Sequence, residues 1–310
     1  MKTKIKGDRT GAFSGVVSSA GDGAPSIPNL WGDDSQRFGA FHLFAGAGSE
    51  GGTPFDVSAY SLMKHGDLEA TRAFADLLAD LLIERRPELV NERADVVLPV
   101  SYVHVPPGCF YLAQHVAMRL SRLRHARGLS SASVVRIHKA RLADFNYAAS
   151  SLAERQAEMA SQTFTLDESV DGKQVLVVDD VRVTGMTERV SFMATLADSR
   201  PHSVVFSYVA MVCGDLADDP SVESRLNLAR VTSILDMLPS IERGEFGLTI
   251  RFLKKALASD PKTLAYFARH CPRALLEEML DGARGSGEKF ARANHGALTL
   301  IEKEMSLRVH

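Results

Sequence analysis

An α/β fold with a parallel sheet follows from three features of the sequence. Apolar runs of strand length lie at Asp95–Val100, Ala132–Ile137, Gln174–Asp179 and Ser203–Ala210. Stretches with apolar residues at helical spacing separate them, at Leu68–Glu84, Cys109–Leu123 and Thr187–Ala197. The runs are nearly continuous in apolar residues, the pattern of strands covered on both faces by crossover helices.

The elements follow in chain order. Residues 1–36 are rich in Gly, Ser, Asp and Pro and read as an irregular N-terminal arm. Phe41–Ala45 predicts a short strand. The Gly46–Gly52 stretch after it reads as a flexible loop, because it lacks the Lys-Ser/Thr ending of a phosphate-binding P-loop. The helix predicted at 68–84 shows Leu68, Phe74, Leu77, Leu78, Leu81 and Leu82 on its apolar stripe. A polar, Pro-rich turn, Ser101–Gly108, links the first core strand to the helix at 109–123. Residues 138–165 form a long excursion, partly helical around 153–159. Arg230–Asp236 is a candidate fifth strand. Beyond Leu238 the pattern is helical to the end, with breaks at Asp260-Pro261, Cys271-Pro272 and 282–287. The chain thus divides into the arm 1–36, an α/β domain 37–236 and a helical C-terminal region 237–310.

Composition narrows the function. A net charge of −2 and a pI near 6.6 provide no global field for nucleic acid, so anion binding has to be local. No run approaches the ~18 apolar residues of a membrane span, so no membrane partner is expected. Cys109, Cys213 and Cys271 are too scattered for a disulfide framework or a metal knuckle, which favours a cytoplasmic location. The histidines show no metal-ligand spacing and read as structural or surface residues.

The chemistry concentrates in 174–190, where four apolar residues end in Asp179-Asp180, followed by Val181-Arg182-Val183, then Thr184-Gly185-Met186-Thr187, then a helix. In a parallel sheet the C-terminal strand ends face the ligand crevice, so the acids stand at its mouth. Amides of 183–187, at a helix start, suit a dianionic phosphate, and Gly185 permits the backbone path such a cradle needs. Carboxylates repel phosphate but accept from hydroxyls. A ribose diol on the acids and a 5-phosphate on the loop satisfy both.

This arrangement resembles the phosphoribosyl pyrophosphate (PRPP) motif of the type I phosphoribosyltransferases: apolar strand, two acids, then T-G-x-T. The wording Asp179-Asp180-Val181-Arg182-Val183-Thr184-Gly185 is similar to the ComF-like branch linked to tellurium-resistance and stress gene clusters. Tyr60-Ser61-Leu62-Met63-Lys64-His65-Gly66-Asp67, the 101–108 loop and Tyr147–Arg155 resemble further elements of that branch, so the resemblance spans roughly 55–215. It implies the type I phosphoribosyltransferase fold, with the irregular arm and helical C-terminus lying outside it.

The resemblance also implies roles. Asp179 and Asp180 are the expected catalytic pair, and Arg182, Val183, Thr184, Gly185, Met186 and Thr187 the ribose 5-phosphate site. Amides of Ser101, Tyr102 and Val103, with Lys64, are expected on the pyrophosphate, in a loop where a strained cis peptide is often found. His138, Lys139 and Arg141 belong to a mobile loop that closes over PRPP. The expected cofactor is Mg²⁺, held mainly by PRPP and water, with Asp179 and Asp180 as candidate ligands. The expected activity is transfer of ribose 5-phosphate from PRPP to an acceptor, a nitrogenous base in most of the family, with release of pyrophosphate. The alternative is a non-catalytic protein that binds PRPP or a nucleotide, which the absence of Arg and Lys from 101–108 favours slightly. The helical C-terminus is a candidate homodimer or partner surface.

Overall fold

The computed structural model describes residues 14–17, 35–44, 54–139, 164–185, 187–196, 199–219 and 221–308. Its strands are β1 (Ser14–Val17), β2 (Ser35–Phe44), β3 (Val96–Tyr102), β4 (Ser133–Lys139), β5 (Phe164–Leu166), β6 (Gln174–Arg182) and β7 (Ser203–Val212). They form one sheet in the order β1-β2-β7-β6-β3-β4-β5. The five central strands are parallel, while β1 and β5 pair antiparallel at the edges.

The four core runs read from the sequence are β3, β4, β6 and β7. Strand β6 continues to Arg182, so both acids lie within its last residues. Strand β2 starts at Ser35, earlier than its apolar run, because it is laddered along β7 from Ser35↔Val204 to Leu43↔Val212. The candidate strand at 230–236 is instead a 3₁₀ turn, Ile234–Met237. The reason is local: the Asp236 carboxylate accepts from the Thr232 and Ser233 amides, both at 2.9 Å, and so takes donors a strand ladder needs.

Helices α1 (Val57–His65), α2 (Leu68–Arg85), α3 (Glu88–Asn91) and α4 (Gly108–His125) cover one face of the sheet. The sequence reading places Tyr60–Asp67 ahead of the first helix, whereas most of it is α1. The Asp56 carboxylate caps the helix start, accepting from the Ser58 and Ala59 amides at 2.9 Å. Gly66, with φ of 108°, ends it in the left-handed region. Asp67 then caps α2, accepting from the Ala70 amide at 2.7 Å.

Side-chain alternation along β6 splits its apolar residues between two cores. Leu176 and Val178 join Tyr60, Phe74, Leu112 and Val116 beneath α1, α2 and α4. Val175 and Val177 join Phe192, Met193 and Leu196 on the other face. Those last residues belong to a π-helical turn, Glu188–Met193, continuing as Ala194–Leu196, where the sequence predicts a plain helix. A third core, with Phe252, Phe267, Leu276, Met279 and Ile301, holds the C-terminal helices together. It also takes in Val105 from the loop after β3 and touches Leu62 of α1. No described helix is long and apolar enough to cross a membrane.

Candidate functional site

The strand order locates the crevice. From β3 the chain runs through α4 to β4 on one side; from β6 it runs through 188–196 to β7 on the other. The winding direction therefore reverses between β3 and β6, and ligands of open α/β sheets bind at such a point, beyond the strand ends. The register agrees: β3 and β6 are paired only at Val96↔Gln174 and Val97↔Val175. Beyond that ladder lie Asp179 and Asp180 at the end of β6, and Ser101 and Tyr102 at the end of β3.

The two acids have different surroundings. Asp180 is buried and forms an ion pair with Lys64 of α1. It also accepts from the fully buried Tyr60 hydroxyl at 3.3 Å and from the Val181 amide at 2.6 Å. Burial alone would lower the Lys64 ammonium pKa; the facing Asp180 carboxylate outweighs it and raises it. Tyr60 is held well above its ordinary value by burial and by Asp180, so its hydroxyl stays a donor. Asp179 is half-buried and accepts from the Asp180 amide at 2.9 Å. Burial and the adjoining Asp180 carboxylate push its pKa well above the usual carboxylate range.

Close backbone packing brings these parts together. Gly108 starts α4 directly against α1: a Cβ there would stand 3.0 Å from the Met63 carbonyl oxygen. The contact sets Lys64 beside the end of the 101–108 loop. It also places Cys109 beside the acids. Burial and the two carboxylates push this thiol far up, so it stays protonated. One Cys109 sulfur and one oxygen from each acid lie within 4.8 Å of one another. A protonated thiol is a poor ligand for a hard cation, and Asp180 already faces an ammonium. Asp179 alone fits Mg²⁺, as one oxygen ligand beside water and substrate oxygens.

The loop after β6 is built as its sequence implies. Gly185 has φ of 66°. A Cβ there would stand 2.8 Å from the Arg182 guanidinium, so a larger residue would strain the backbone and also shift that side chain. Arg182 lines the same cleft as the loop, and its Nε donates to Glu188 at 3.1 Å. Thr184 and Thr187 line a cleft together with Asp179, Tyr208 and Glu223. Val183 packs against the core, and Met186 lies outside the described residues.

The remaining expected residues are dispersed. Ser101 keeps a buried hydroxyl with no partner among the described residues. The Tyr102 ring packs on Phe110 at 5.6 Å and under the Arg136 guanidinium at 4.5 Å, beside a groove of about 590 Å³. Val103 is half-buried, and the described peptides, those of 101–108 included, are trans, so the cis bond expected from the resemblance is absent there. His138 pairs with Asp167 across the β4–β5 edge, and the Lys139 ammonium lies 6.0 Å from the centre of the Phe164 ring. Arg141 lies outside the described residues.

Several site residues escape sequence reasoning. Tyr60 and Cys109 sit at the acids, Glu188 and Tyr208 line the cleft beside the loop after β6, and Arg37 is held on Glu188. The C-terminal helices contribute too. The Ile250 amide donates to Pro106 at 2.9 Å and the Tyr111 hydroxyl to Leu248 at 3.0 Å, which fixes the loop after β3. Arg251 pairs with Glu223 at 3.3 Å, and its charge is felt at both Tyr60 and Lys64. Apart from Tyr60, Cys109, Tyr111 and Glu188, each is far in sequence from the motifs that mark the site.

A switch-point crevice with acids on one strand end and a loop beside them marks this chain as an open α/β protein with its candidate site at the strand ends. The PRTase ComF-like family model matches residues 39–292, and the chain belongs to the ComF-like phosphoribosyltransferase family. Among solved structures it is similar to a hypoxanthine phosphoribosyltransferase mutant from Trypanosoma cruzi, complexed with the product IMP. The identity there is 15%, over 47% of this chain and 75% of that one, with a TM-score of 0.32. It is similar also to a purine phosphoribosyltransferase from Pyrococcus horikoshii, at 17% identity over 46% of this chain and 73% of that one, with a TM-score of 0.27. None of the curated proteins matches the sequence.

Proposed function

We propose that the protein transfers ribose 5-phosphate from PRPP to a nitrogen acceptor and releases pyrophosphate. The observation that supports this best is the grouping at the β3–β6 switch point: Asp179, with its partner Asp180 held by Lys64, beside the Thr184–Thr187 loop. Asp179 accepts from the ribose hydroxyls. Asp180 fixes the Lys64 ammonium beside the acids. The loop after β6 takes the 5-phosphate on its amides. Mg²⁺, where bound, neutralises pyrophosphate charge, with Asp179 as its protein ligand. As the C1–pyrophosphate bond breaks, positive charge grows on the ribose, and the neighbouring carboxylates stabilise it. Holding donor and acceptor in line supplies a further share of the rate. With its scattered free cysteines, the protein is assigned to the cytoplasm, and its kinship suggests a stress-linked role.

The second reading, binding without turnover, draws support from charge. Lys64 and Arg182 are both paired with protein carboxylates, and the 101–108 loop carries neither Arg nor Lys. Incubation with PRPP, Mg²⁺ and a panel of bases and cell extract, following pyrophosphate, separates the two. Pyrophosphate release that disappears in Asp179→Asn/Asp180→Asn supports transfer. Binding of PRPP with no release supports the second reading, and undiminished turnover in the double variant refutes the role of the acids.

A further inference from the structure

Beside the loop after β6 lies a largely buried charge cluster. Glu188, whose side chain is 1% exposed, receives four hydrogen bonds. Arg37 of β2 donates from Nε at 2.7 Å and from its terminal nitrogen at 2.5 Å, both to Oε1. Arg182 Nε at 3.1 Å and the Tyr208 hydroxyl at 2.7 Å donate to Oε2. Arg37 and Arg182 are themselves only 14% and 17% exposed. Burial opposes the Glu188 charge, but the Arg37 and Tyr208 hydrogen bonds outweigh it, and the carboxyl stays below its usual range. Tyr208 is held well above its ordinary value by burial and by Glu188, so it stays neutral. Two guanidiniums and one carboxylate leave a single net positive charge.

That charge has a definite address. The Arg182 guanidinium occupies the place where a Cβ of Gly185 would stand, so it lies directly against the loop backbone. Glu188 follows the loop by one residue, and Arg37 reaches it from a strand two places along the sheet. A cation fixed in a partly dry interior acts on a nearby anion far more strongly than a solvated one. It also needs no reorganisation when the anion arrives.

We propose that Arg37, Glu188 and Arg182 form an electrostatic floor for the phosphate loop, with Arg37 and Arg182 raising its affinity for the 5-phosphate dianion and Glu188 limiting it. The inference rests on the reading of 183–187 as the phosphate loop. Arg182 and Glu188 line the cleft beside the loop, and Arg37 acts as a positioning residue through Glu188. A merely structural cluster would behave differently, because every change to it would weaken folding and binding together.

Ribose 5-phosphate binding, measured by calorimetry at low and moderate salt, tests this on the full chain. Glu188→Gln keeps the shape and removes the negative charge, so affinity should rise by about tenfold, with a steeper salt dependence. Arg37→Met leaves Arg182 and Glu188 neutral overall, so affinity should fall by about tenfold. Arg37→Lys keeps the charge and should retain most of the affinity. Unchanged or weaker binding by Glu188→Gln overturns the proposal, and that variant decides alone should Arg37→Met fail to fold. If the wild-type protein binds neither ribose 5-phosphate nor inorganic phosphate, the reading of the loop itself fails. If it binds and the charge variants match it, only the electrostatic floor fails.

Discussion

Replacing Lys64 by methionine isolates the ion pair at the base of the site. The Lys64 side chain is 11% exposed and that of Asp180 7%, so water does little to screen the pair. Methionine preserves the stem and removes the charge. Asp180 then keeps only the Tyr60 hydroxyl, at 3.3 Å, and the Val181 amide, at 2.6 Å. Removing one partner of a buried pair costs about 3–5 kcal/mol, because the surviving charge is stranded without water. The double variant Lys64→Met/Asp180→Asn removes both charges and should recover most of that loss. Asp180→Asn alone should cost less than Lys64→Met, since the amide oxygen still accepts from Tyr60 and Lys64. Urea unfolding of the four proteins at one pH gives the cycle directly. A cost below ~1 kcal/mol for Lys64→Met, or a double variant no more stable than that single one, would refute the assignment of a dry, mutually dependent pair.

Three further outcomes are expected. Gly185→Ala should destabilise by about 1–2 kcal/mol from the left-handed backbone alone. It should also weaken ribose 5-phosphate binding, because the new methyl displaces the Arg182 guanidinium; denaturation and calorimetry check both. Arg124 is fully buried and donates to the carbonyls of Leu89 at 2.7 Å, Ala94 at 3.0 Å and Ser130 at 2.6 Å, tying the end of α4 to the start of β3. Arg124→Ala should therefore cost about 3–5 kcal/mol, read as a lowered urea midpoint. His65 is buried, and burial lowers its pKa from 6.5 to about 3. The unfolded chain takes up this proton below pH 6.5 while the folded chain does not until about pH 3, so His65 makes stability fall as the pH drops through that window. The slope is up to about 1.4 kcal/mol per pH unit, and unfolding of His65→Gln across pH 4–7.5 should show it flattened. An identical slope in the variant would exclude His65 as its source.

The sequence by itself determined the sheet and the place of its chemistry. Strands β3, β6 and β7 are buried on both faces over most of their length and β4 on one, so they leave largely apolar runs in the sequence. The acids and the Thr-Gly-Met-Thr turn are contiguous, so one strand, one loop and one helix start carry them wherever the chain goes. Helix α1 was legible in principle through Asp56 and Gly66, but its nine residues carry too short a stripe to stand out. The 230–236 stretch misled because its apolar residues face a packed core while Asp236 captures the amides.

Only the tertiary structure decided how the two acids differ. Asp179 and Asp180 are equivalent as letters, and burial against Tyr60 and Lys64 separates them. It also paired Arg182 with Glu188, and brought Arg37, Glu223 and Arg251 to the site from distant segments. The physical reason is the range of the forces. Backbone preference and apolar periodicity act over a few residues and are written locally. Desolvation and charge pairing depend on what stands within a few ångströms in space, and in this fold those neighbours come from β2, α1 and the C-terminal helices.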